Sequence, residues 1–352
     1  MIPTPAAAAV AAVTSHFDVR SFLPALRDRD VTVTVLGMPN PVLSPIDEWP
    51  DWPQDPVLPR EFSAHYGAGY DRAVVISGGG LAGLAFGAAY LSGLERCGVG
   101  LRKADLVVGT SAGSLLGTEL LANDLRRLTI QLQLAARSRL FEYIRKDAHP
   151  HPTAARARSL FDDATDGKPA TLIGIGHAAL AAKAPSRLSL MTQIYAFVGR
   201  MTWPSAALRT TAYDSYSAER LVFCRDSRVP LLLALSASAA VPGLMTPVQI
   251  GGRRCMDGGM ASGLNADLAA GARKVLVIGL VHDPNQGRWT NRKGQFKEEI
   301  TGLRDAGTIV ESRLPAEDLG DPMDATALAL GLRLGGEQAA EDAAGVAAFW
   351  GS

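Results

Sequence analysis

A serine between two glycines is the strongest chemical signal in the sequence. Gly109-Thr110-Ser111-Ala112-Gly113 follows a buried apolar run, Asp105 to Val108, and precedes helix-compatible residues from Ser114 to Ala122. A serine on a sharp turn between a strand and a helix exposes its hydroxyl at the carboxyl end of a sheet, and flanking glycines remove side chains that would collide there. The following helix points its amino terminus at the negative charge that develops in acyl transfer. The pattern predicts a nucleophile, although a serine that caps an ordinary helix has a similar local sequence.

A run of glycines one strand–helix unit earlier could bind the oxygen on which that charge develops. Gly78-Gly79-Gly80-Leu81-Ala82-Gly83 follows the apolar run Ala73 to Ile76. Glycines let backbone N–H groups point into a cleft, where they can hold an oxyanion. The spacing of Gly78, Gly80 and Gly83 also matches a dinucleotide fingerprint, which needs an acidic residue at the end of the second strand. That strand ends in Val108-Gly109-Thr110-Ser111, so a nucleotide- or anion-binding module is the weaker alternative.

A carboxylate in a glycine turn completes the set of candidate catalytic groups. Asp257-Gly258-Gly259 can bring an aspartate close to a serine hydroxyl, whose proton the carboxylate would accept. His282 is the only histidine that follows Asp257, so a Ser–His–Asp esterase that uses Ser111, Asp257 and His282 is an alternative. A polar residue that closes a strand is the more ordinary interpretation of His282.

The other histidines do not indicate a metal site. His149 and His151 lie in a proline-stiffened stretch without a cluster of acidic residues or cysteines beside them. We therefore expect neither a metal nor an organic cofactor.

Two strand–turn–helix units in succession must position these groups. The first unit leads from Ala73–Ile76 into a helix over Leu84–Cys97, and the second carries Ser111. This order is typical of a parallel sheet covered by helices. The composition of residues 123–217 favours helix. Later apolar runs predict strands at Leu221–Cys224 and Lys274–Val281 and a helix at Val229–Ala240.

These motifs, in this order, resemble the patatin-like phospholipase family. Ala237-Ser238-Ala239-Ala240-Val241-Pro242-Gly243 also resembles that family's approach to its aspartate, and the resemblance covers Arg72 to about Leu121 and Leu221 to about Leu280. It implies an α/β three-layer sandwich with a mainly parallel central sheet. It further implies that lipid acyl esters are hydrolysed by a Ser–Asp dyad of Ser111 and Asp257. Where the family often has Asp before the glycines and Arg or Lys within them, this chain has Ser77 and Ala82.

The resemblance also assigns roles to the glycines beside the dyad. Gly78, Gly79 and Gly80 would form the oxyanion hole. Gly109 and Gly113 would shape the nucleophile turn, and Gly258 and Gly259 the aspartate turn. The activity implied is that of a serine carboxylic-ester hydrolase of the phospholipase A, lysophospholipase or carboxylesterase type.

The chain divides into three expected parts. Residues 1–70 form an extension that is partly irregular, residues 71–290 a catalytic domain with a helical cap-like insertion at about 123–217, and residues 291–352 a helical tail that packs on the core. Within the insertion, apolar residues are candidates for an acyl-binding wall, with ordinary core packing as the alternative: Leu140, Phe141, Ile144, Ile194, Tyr195, Phe197 and Val198.

Composition narrows the partners and the compartment. The 352 residues include 35 Lys+Arg and 35 Asp+Glu, and this balance gives no electrostatic reason to expect nucleic acid. Three widely spaced cysteines favour a reducing compartment over a disulfide framework. No strongly apolar run is long enough to span a bilayer, and the alanine-rich start is a poor signal peptide. We expect a cytoplasmic protein whose partner is a lipid or other acyl-ester substrate and which can contact a membrane surface peripherally.

Overall fold

The computed structural model describes residues 56–137, 150–286, 291–322, 324 and 326–351. Most of the predicted extension 1–70 lies outside these residues. So do His149 and three of the candidate wall residues, Leu140, Phe141 and Ile144. The proposed division of the chain into three parts stays a prediction.

Strands and helices alternate along most of the described chain. Their order is β1 (Arg72–Ile76), α1 (Gly80–Arg96), β2 (Leu106–Gly109), α2 (Ala112–Leu121), α3 (Leu125–Arg137), α4 (Pro152–Asp162), α5 (Pro169–Ala181), α6 (Arg187–Val198), β3 (Leu208–Asp214), β4 (Arg220–Phe223), α7 (Leu231–Ser238), β5 (Val248–Ile250), β6 (Arg253–Met256), β7 (Lys274–Ile278), α8 (Gln295–Asp305), β8 (Ile309–Arg313) and α9 (Ala327–Gly351).

The strands form one sheet in the order β5-β6-β3-β2-β1-β7-β8, with β4 also paired to β3. Strands β3, β2, β1, β7 and β8 run parallel to one another. Strand β3 also pairs antiparallel with β4 and with β6, and β6 pairs antiparallel with β5. In the centre, Ile76 is in register with Gly109 on one side and Ile278 on the other. The structure thus confirms the predicted α/β class with a mainly parallel central sheet.

Alternate residues of the central strands face helices on opposite sides of the sheet. Val75 and Val277 belong to a buried cluster that also contains Ile300 and Leu303 of α8. On the other face, α2 packs so closely that a Cβ added at Gly117 would lie 3.0 Å from Cγ1 of Val107. Because side chains of a strand alternate with a period of two, short apolar runs can be buried on both faces. The sheet is therefore the middle of three layers.

Helix α9 lies along α1, and the two backbones approach closely. A Cβ added at Gly335 would lie 2.2 Å from the carbonyl oxygen of Phe86, and one added at Gly93 would lie 2.4 Å from Cβ of Ala339. Near the end of α9, Trp350 donates its indole N–H to the carbonyl of Gly100 (3.2 Å). Small residues at these crossing points allow a separation that larger side chains would prevent.

One strand lies where the sequence favours helix. Leu208–Asp214 is β3, so the prediction of mostly helical structure for residues 123–217 is wrong there. Thr210 and Thr211 are fully buried and Asp214 is 5% exposed, so this strand carries polar side chains into the interior. A short apolar run predicts a buried strand, and the sequence of β3 does not contain such a run.

No helix among the described residues is long and apolar enough to cross a membrane.

Candidate active site

Ser111 occupies a strained turn between β2 and α2. Its backbone has φ 52° and ψ −119°, a conformation that is costly for a residue with a side chain. There is no room for a side chain at either flanking glycine. A Cβ added at Gly109 would lie 2.5 Å from the carbonyl oxygen of Gly113, and one added at Gly113 would lie 2.2 Å from the carbonyl oxygen of Ile76. The backbone N–H of Ser111 donates to Oγ of Ser238 (2.9 Å), which holds the turn in place.

Asp257 follows the last residue of β6 and lies directly against the serine. The Ser111 hydroxyl donates to Oδ2 of Asp257 (2.9 Å), and the backbone N–H of Gly259 donates to Oδ1 (2.7 Å). The N–H of Asp257 itself donates to the carbonyl of Ala240 (3.0 Å), which fixes the start of the turn. The structure therefore brings together the two residues that the sequence singles out, although they are 146 positions apart.

Burial governs the protonation of this aspartate. Asp257 is 4% exposed. Burial raises its pKa to about 6, while hydrogen bonds from Gly259 and Ser111 and the positive charge of Arg158 act in the opposite direction. A carboxylate with such a pKa is a stronger base than an ordinary aspartate and is still ionised at neutral pH.

The glycine loop lies beside the nucleophile, but its three amides differ. A Cβ added at Gly78 would lie 3.5 Å from Cβ of Ser111, so the loop borders the hydroxyl. The N–H of Gly78 already donates to the carbonyl of Gly263 (2.9 Å). The N–H groups of Gly79 and Gly80 have no hydrogen-bond acceptor among the described residues. The N–H of Gly78 is thus already paired, whereas those of Gly79 and Gly80 are open to another acceptor, and the oxyanion role of the three glycines stays a prediction.

Helix α1 begins at Gly80, four residues before the predicted start at Leu84. Ala82 is only 1% exposed, and its N–H donates to the carbonyl of Pro322 (3.1 Å). A Cβ added at Gly331 of α9 would lie 2.7 Å from the Ala82 carbonyl oxygen. The position at which the family often carries a cation is therefore packed beneath α9.

Asn265 is a site residue that the sequence reasoning missed. This fully buried residue donates through its amide nitrogen to Oγ1 of Thr110 (3.0 Å) and to the carbonyl of Gly258 (3.0 Å). Its backbone is left-handed (φ 52°), which asparagine tolerates better than most residues. One side chain thus ties the turn before Ser111 to the turn after Asp257. The available signal was an asparagine a few residues beyond the aspartate turn.

A buried ion pair lies beside Asn265 and contacts its side chain. Arg220 forms a bidentate pair with Asp267, with both N···O distances 2.7 Å and both side chains 1% exposed. The same guanidinium lies 3.3 Å from Oδ1 of Asn265. A fork-to-carboxylate pair fixes direction as well as distance, so this pair orients the asparagine amide.

The dyad opens into a cavity of about 180 Å³. Its apolar lining differs from the predicted acyl wall: the described candidates Ile194, Tyr195, Phe197 and Val198 lie on α6 and are not among the lining residues. The apolar residues that do line it are Phe161, Val241, Leu264, Val281, Pro284, Phe296 and Pro322.

His282 lines the same cavity but is not joined to the dyad. Its Nδ1 lies 2.8 Å from the carbonyl oxygen of Pro315. In the described part of the chain neither Ser111 nor Asp257 hydrogen-bonds to the imidazole, because their side chains bond directly to each other. The geometry favours the Ser–Asp pair over the Ser–His–Asp alternative.

The described residues can be searched for the ligands that a nucleotide or a metal ion would need. Strand β2 ends at Gly109 and leads into Thr110 and Ser111, so no carboxylate stands where a ribose would need one. Among the described residues no group of three or more His, Cys, Asp or Glu side chains could hold a metal ion. His151 instead caps α4, where its ring nitrogen accepts from the N–H of Thr153 (3.3 Å).

Comparison with known proteins places this geometry in context. The family model for patatin-like phospholipase matches residues 74–270, more than half of the 352-residue chain. None of the curated proteins compared with the chain matches it. Among solved structures, the chain is similar to VipD from Legionella pneumophila at 11% sequence identity and a TM-score of 0.38, with 78% of this chain and 67% of that chain covered.

Proposed function

The chain belongs to the patatin-like phospholipase family and is in general terms a lipid acyl hydrolase, and we propose that it works through a covalent intermediate on Ser111. The observation that carries the proposal is the 2.9 Å hydrogen bond from the Ser111 hydroxyl to Asp257 at the floor of a cavity. A nucleophile and a base within hydrogen-bond reach are the minimum needed for acyl transfer.

The first half-reaction forms the acyl-enzyme. Asp257 accepts the hydroxyl proton as Oγ of Ser111 attacks the ester carbonyl, and the amides of Gly79 and Gly80 stabilise the tetrahedral oxyanion. The bond to the leaving alcohol then breaks, and the alcohol takes the proton from Asp257. Loss of one oxyanion donor in such a site lowers the rate about a hundredfold or more.

The second half-reaction releases the acid. Water gives a proton to Asp257 and attacks the acyl-enzyme carbonyl, and the collapse of the intermediate returns that proton to Oγ of Ser111. The same carboxylate therefore acts twice as base and twice as acid, which suits a group with a pKa of about 6.

Reaction with a fluorophosphonate, followed by intact mass, tests the proposal. The wild-type protein should gain one adduct, Ser111→Ala should gain none, and Asp257→Asn should react about a hundredfold more slowly because the base is lost. Ser77 is the other serine among the cavity-lining residues, so Ser77→Ala should still gain the adduct. An adduct that persists in Ser111→Ala would refute the assignment.

One further variant separates the dyad from the triad. His282→Ala should keep hydrolysis of a soluble ester within about tenfold of wild type, since general-base catalysis by a true triad histidine is worth about 10²–10⁴. A loss of that larger size would favour the Ser–His–Asp mechanism instead.

A further inference from the structure

Arg158 brings a positive charge to the wall of the cavity. It lies on α4, its side chain is 20% exposed, and it borders the same space as Ser111 and Asp257. Among the described residues that line this cavity, it is the only arginine or lysine.

The guanidinium is held in place but only partly satisfied. Its Nε donates to Oδ2 of Asp162 (2.6 Å), one turn further along α4, and its central carbon lies 5.8 Å from the centre of the Phe161 ring. Nη1 is buried and has no hydrogen-bond partner among the described residues. A guanidinium carries five N–H donors, so the bond to Asp162 leaves donors of the 20% exposed side chain for a bound oxyanion.

The backbone of Arg158 is fixed relative to the catalytic base. A Cβ added at Gly243 would lie 2.6 Å from the backbone nitrogen of Arg158, so α4 packs tightly on this loop. The loop begins just after Ala240, whose carbonyl accepts the N–H of Asp257 (3.0 Å). Packing therefore fixes the backbone of Arg158 relative to the dyad, and the bond to Asp162 holds its side chain.

The acidic residues of the lining make the rest of the cavity unfavourable for an anion. Glu299 is engaged by Arg60 (2.9 Å) and by the N–H of Ala266 (3.1 Å). Asp283 and Asp318 are exposed and accept from backbone N–H groups of their own turns. Asp257 is the fourth acidic residue of the lining, and it accepts from Ser111 and Gly259. Repulsion from Glu299, Asp283 and Asp318 would direct an anionic group of a substrate to Arg158.

We propose that Arg158 determines specificity by binding the phosphate of a phospholipid through its guanidinium while the acyl ester lies at Ser111. The proposal rests on the proposed acyl hydrolase function and adds a residue outside the catalytic motifs that selects a phosphate-bearing substrate. Arginine suits this role because its planar fork can meet two phosphate oxygens at once.

Two substrates with the same acyl chains test it: dihexanoylglycerol, which is neutral, and dihexanoyl phosphatidylglycerol, which carries a phosphate. At pH 8, where Asp257 is ionised, Arg158→Gln should lower kcat/KM for the phosphate ester about tenfold or more, chiefly by raising KM. It should lower kcat/KM for the neutral ester less than threefold. Arg158→Lys should fall in between, because it keeps the charge but not the fork. The matched control is Arg156→Gln, an exposed arginine on the same helix, which should change neither value.

A second readout does not depend on the phospholipid. Inorganic phosphate should inhibit hydrolysis of dihexanoylglycerol competitively in the wild type, and the inhibition should weaken about tenfold in Arg158→Gln. If the Gln variant does not fold, as judged by circular dichroism, the Lys variant carries both measurements.

Each outcome decides the proposal. An equal loss on both esters would overturn it, since Arg158 would then act only through Asp257 or the fold. No loss on either ester would overturn it as well. If the wild type hydrolysed neither ester and gained no fluorophosphonate adduct, the acyl hydrolase function itself would fail, and that result is distinct from a selective failure of Arg158.

Discussion

At the scale of single residues, the site depends on a carboxylate that is useful because it is poorly solvated. Asp257 must be ionised to accept a proton, yet it is 4% exposed and its pKa is raised to about 6. The pKa of a carboxyl in the unfolded chain is near 4, so burial makes ionisation of the folded protein costly. Activity therefore needs the ionised form of Asp257, whereas the stability of the folded protein is greater with the protonated form.

This conflict predicts opposite responses to pH. Below about pH 6, kcat/KM for a neutral ester should fall tenfold per pH unit as Asp257 is protonated. The stabilising contribution of the raised pKa is fully present below about pH 4 and is lost as the pH rises through 6. At pH 8, ionisation of the buried Asp257 lowers the free energy of unfolding by about 3 kcal/mol relative to an uncharged side chain. Asp257→Asn should therefore unfold at a higher temperature than wild type.

Thermal unfolding by circular dichroism measures the second half of this prediction. The advantage of Asp257→Asn should shrink by about half at pH 5, where the wild-type carboxyl is mostly protonated. An Asn variant that is less stable than wild type at pH 8 would contradict the argument, as would a rate that stays level down to pH 4.

Asn265 is the second residue whose chemistry can be isolated. Asn265→Asp keeps the size and tolerates the left-handed backbone, but it removes the amide donors to Thr110 and Gly258. We expect unfolding in urea to show a loss of about 2 kcal/mol, and labelling of Ser111 by the fluorophosphonate to slow about tenfold. Asn123→Asp is the control, because Asn123 is also left-handed but exposed, and it should change little.

At the scale of elements, the interface between α1 and α9 depends on which glycines face it. Gly335 points at the carbonyl of Phe86, whereas Gly336, the next residue, has nothing within 4 Å of an added Cβ. Adjacent residues of one helix thus lie in opposite environments, and the same substitution can be compared at both.

Alanine at these two glycines should change stability in opposite directions. Gly335→Ala forces the helices apart and should cost about 1–3 kcal/mol. Gly336→Ala meets no neighbour and should add up to about 1 kcal/mol, because alanine is a better helix former. Urea unfolding of the two variants beside wild type gives both values. Equal effects would show that α9 is not packed as described.

The elements also show what the sequence could and could not reveal. Strands β1, β2 and β7 are short apolar runs buried on both faces, and such runs mark central parallel strands. Strand β8, at the edge, reads Ile-Val-Glu-Ser-Arg and gave no comparable signal. In the candidate site, the glycine and aspartate turns could be predicted from the sequence because local backbone geometry restricts which residues are allowed there. Which side chains line the cavity, Arg158 among them, depends on how helices such as α4 pack, and residue spacing does not encode that packing.

At the scale of the whole molecule, the candidate site lies at the carboxyl ends of central strands of the sheet. Ser111 follows β2, the glycine loop follows β1, and these two strands are central neighbours in the sheet order. Asp257 arrives from β6, on the antiparallel side, two strands away from β2. The site is therefore assembled from segments far apart in the chain, and its geometry depends on the sheet as a unit.

Helix α9 runs from the carboxyl ends of the central strands to their amino ends. Pro322, just before α9, lines the cavity and accepts the N–H of Ala82. At the other end of the helix, the carbonyl of Phe349 accepts from Nζ of Lys274, the first residue of β7. With a rise of about 1.5 Å per residue, a helix of 25 residues spans about 37 Å.

This arrangement has a consequence for how the protein is made. During synthesis on the ribosome the amino-terminal part of a chain emerges and folds first. Ser111 and Asp257 leave the ribosome well before α9 does, and the lining residue Pro322 and the helix that covers α1 belong to a segment that is translated after both of them. A nascent chain that already carries Ser111 and Asp257 therefore lacks this part of the cavity lining, and the packing of α9 on α1, until translation has passed through α9.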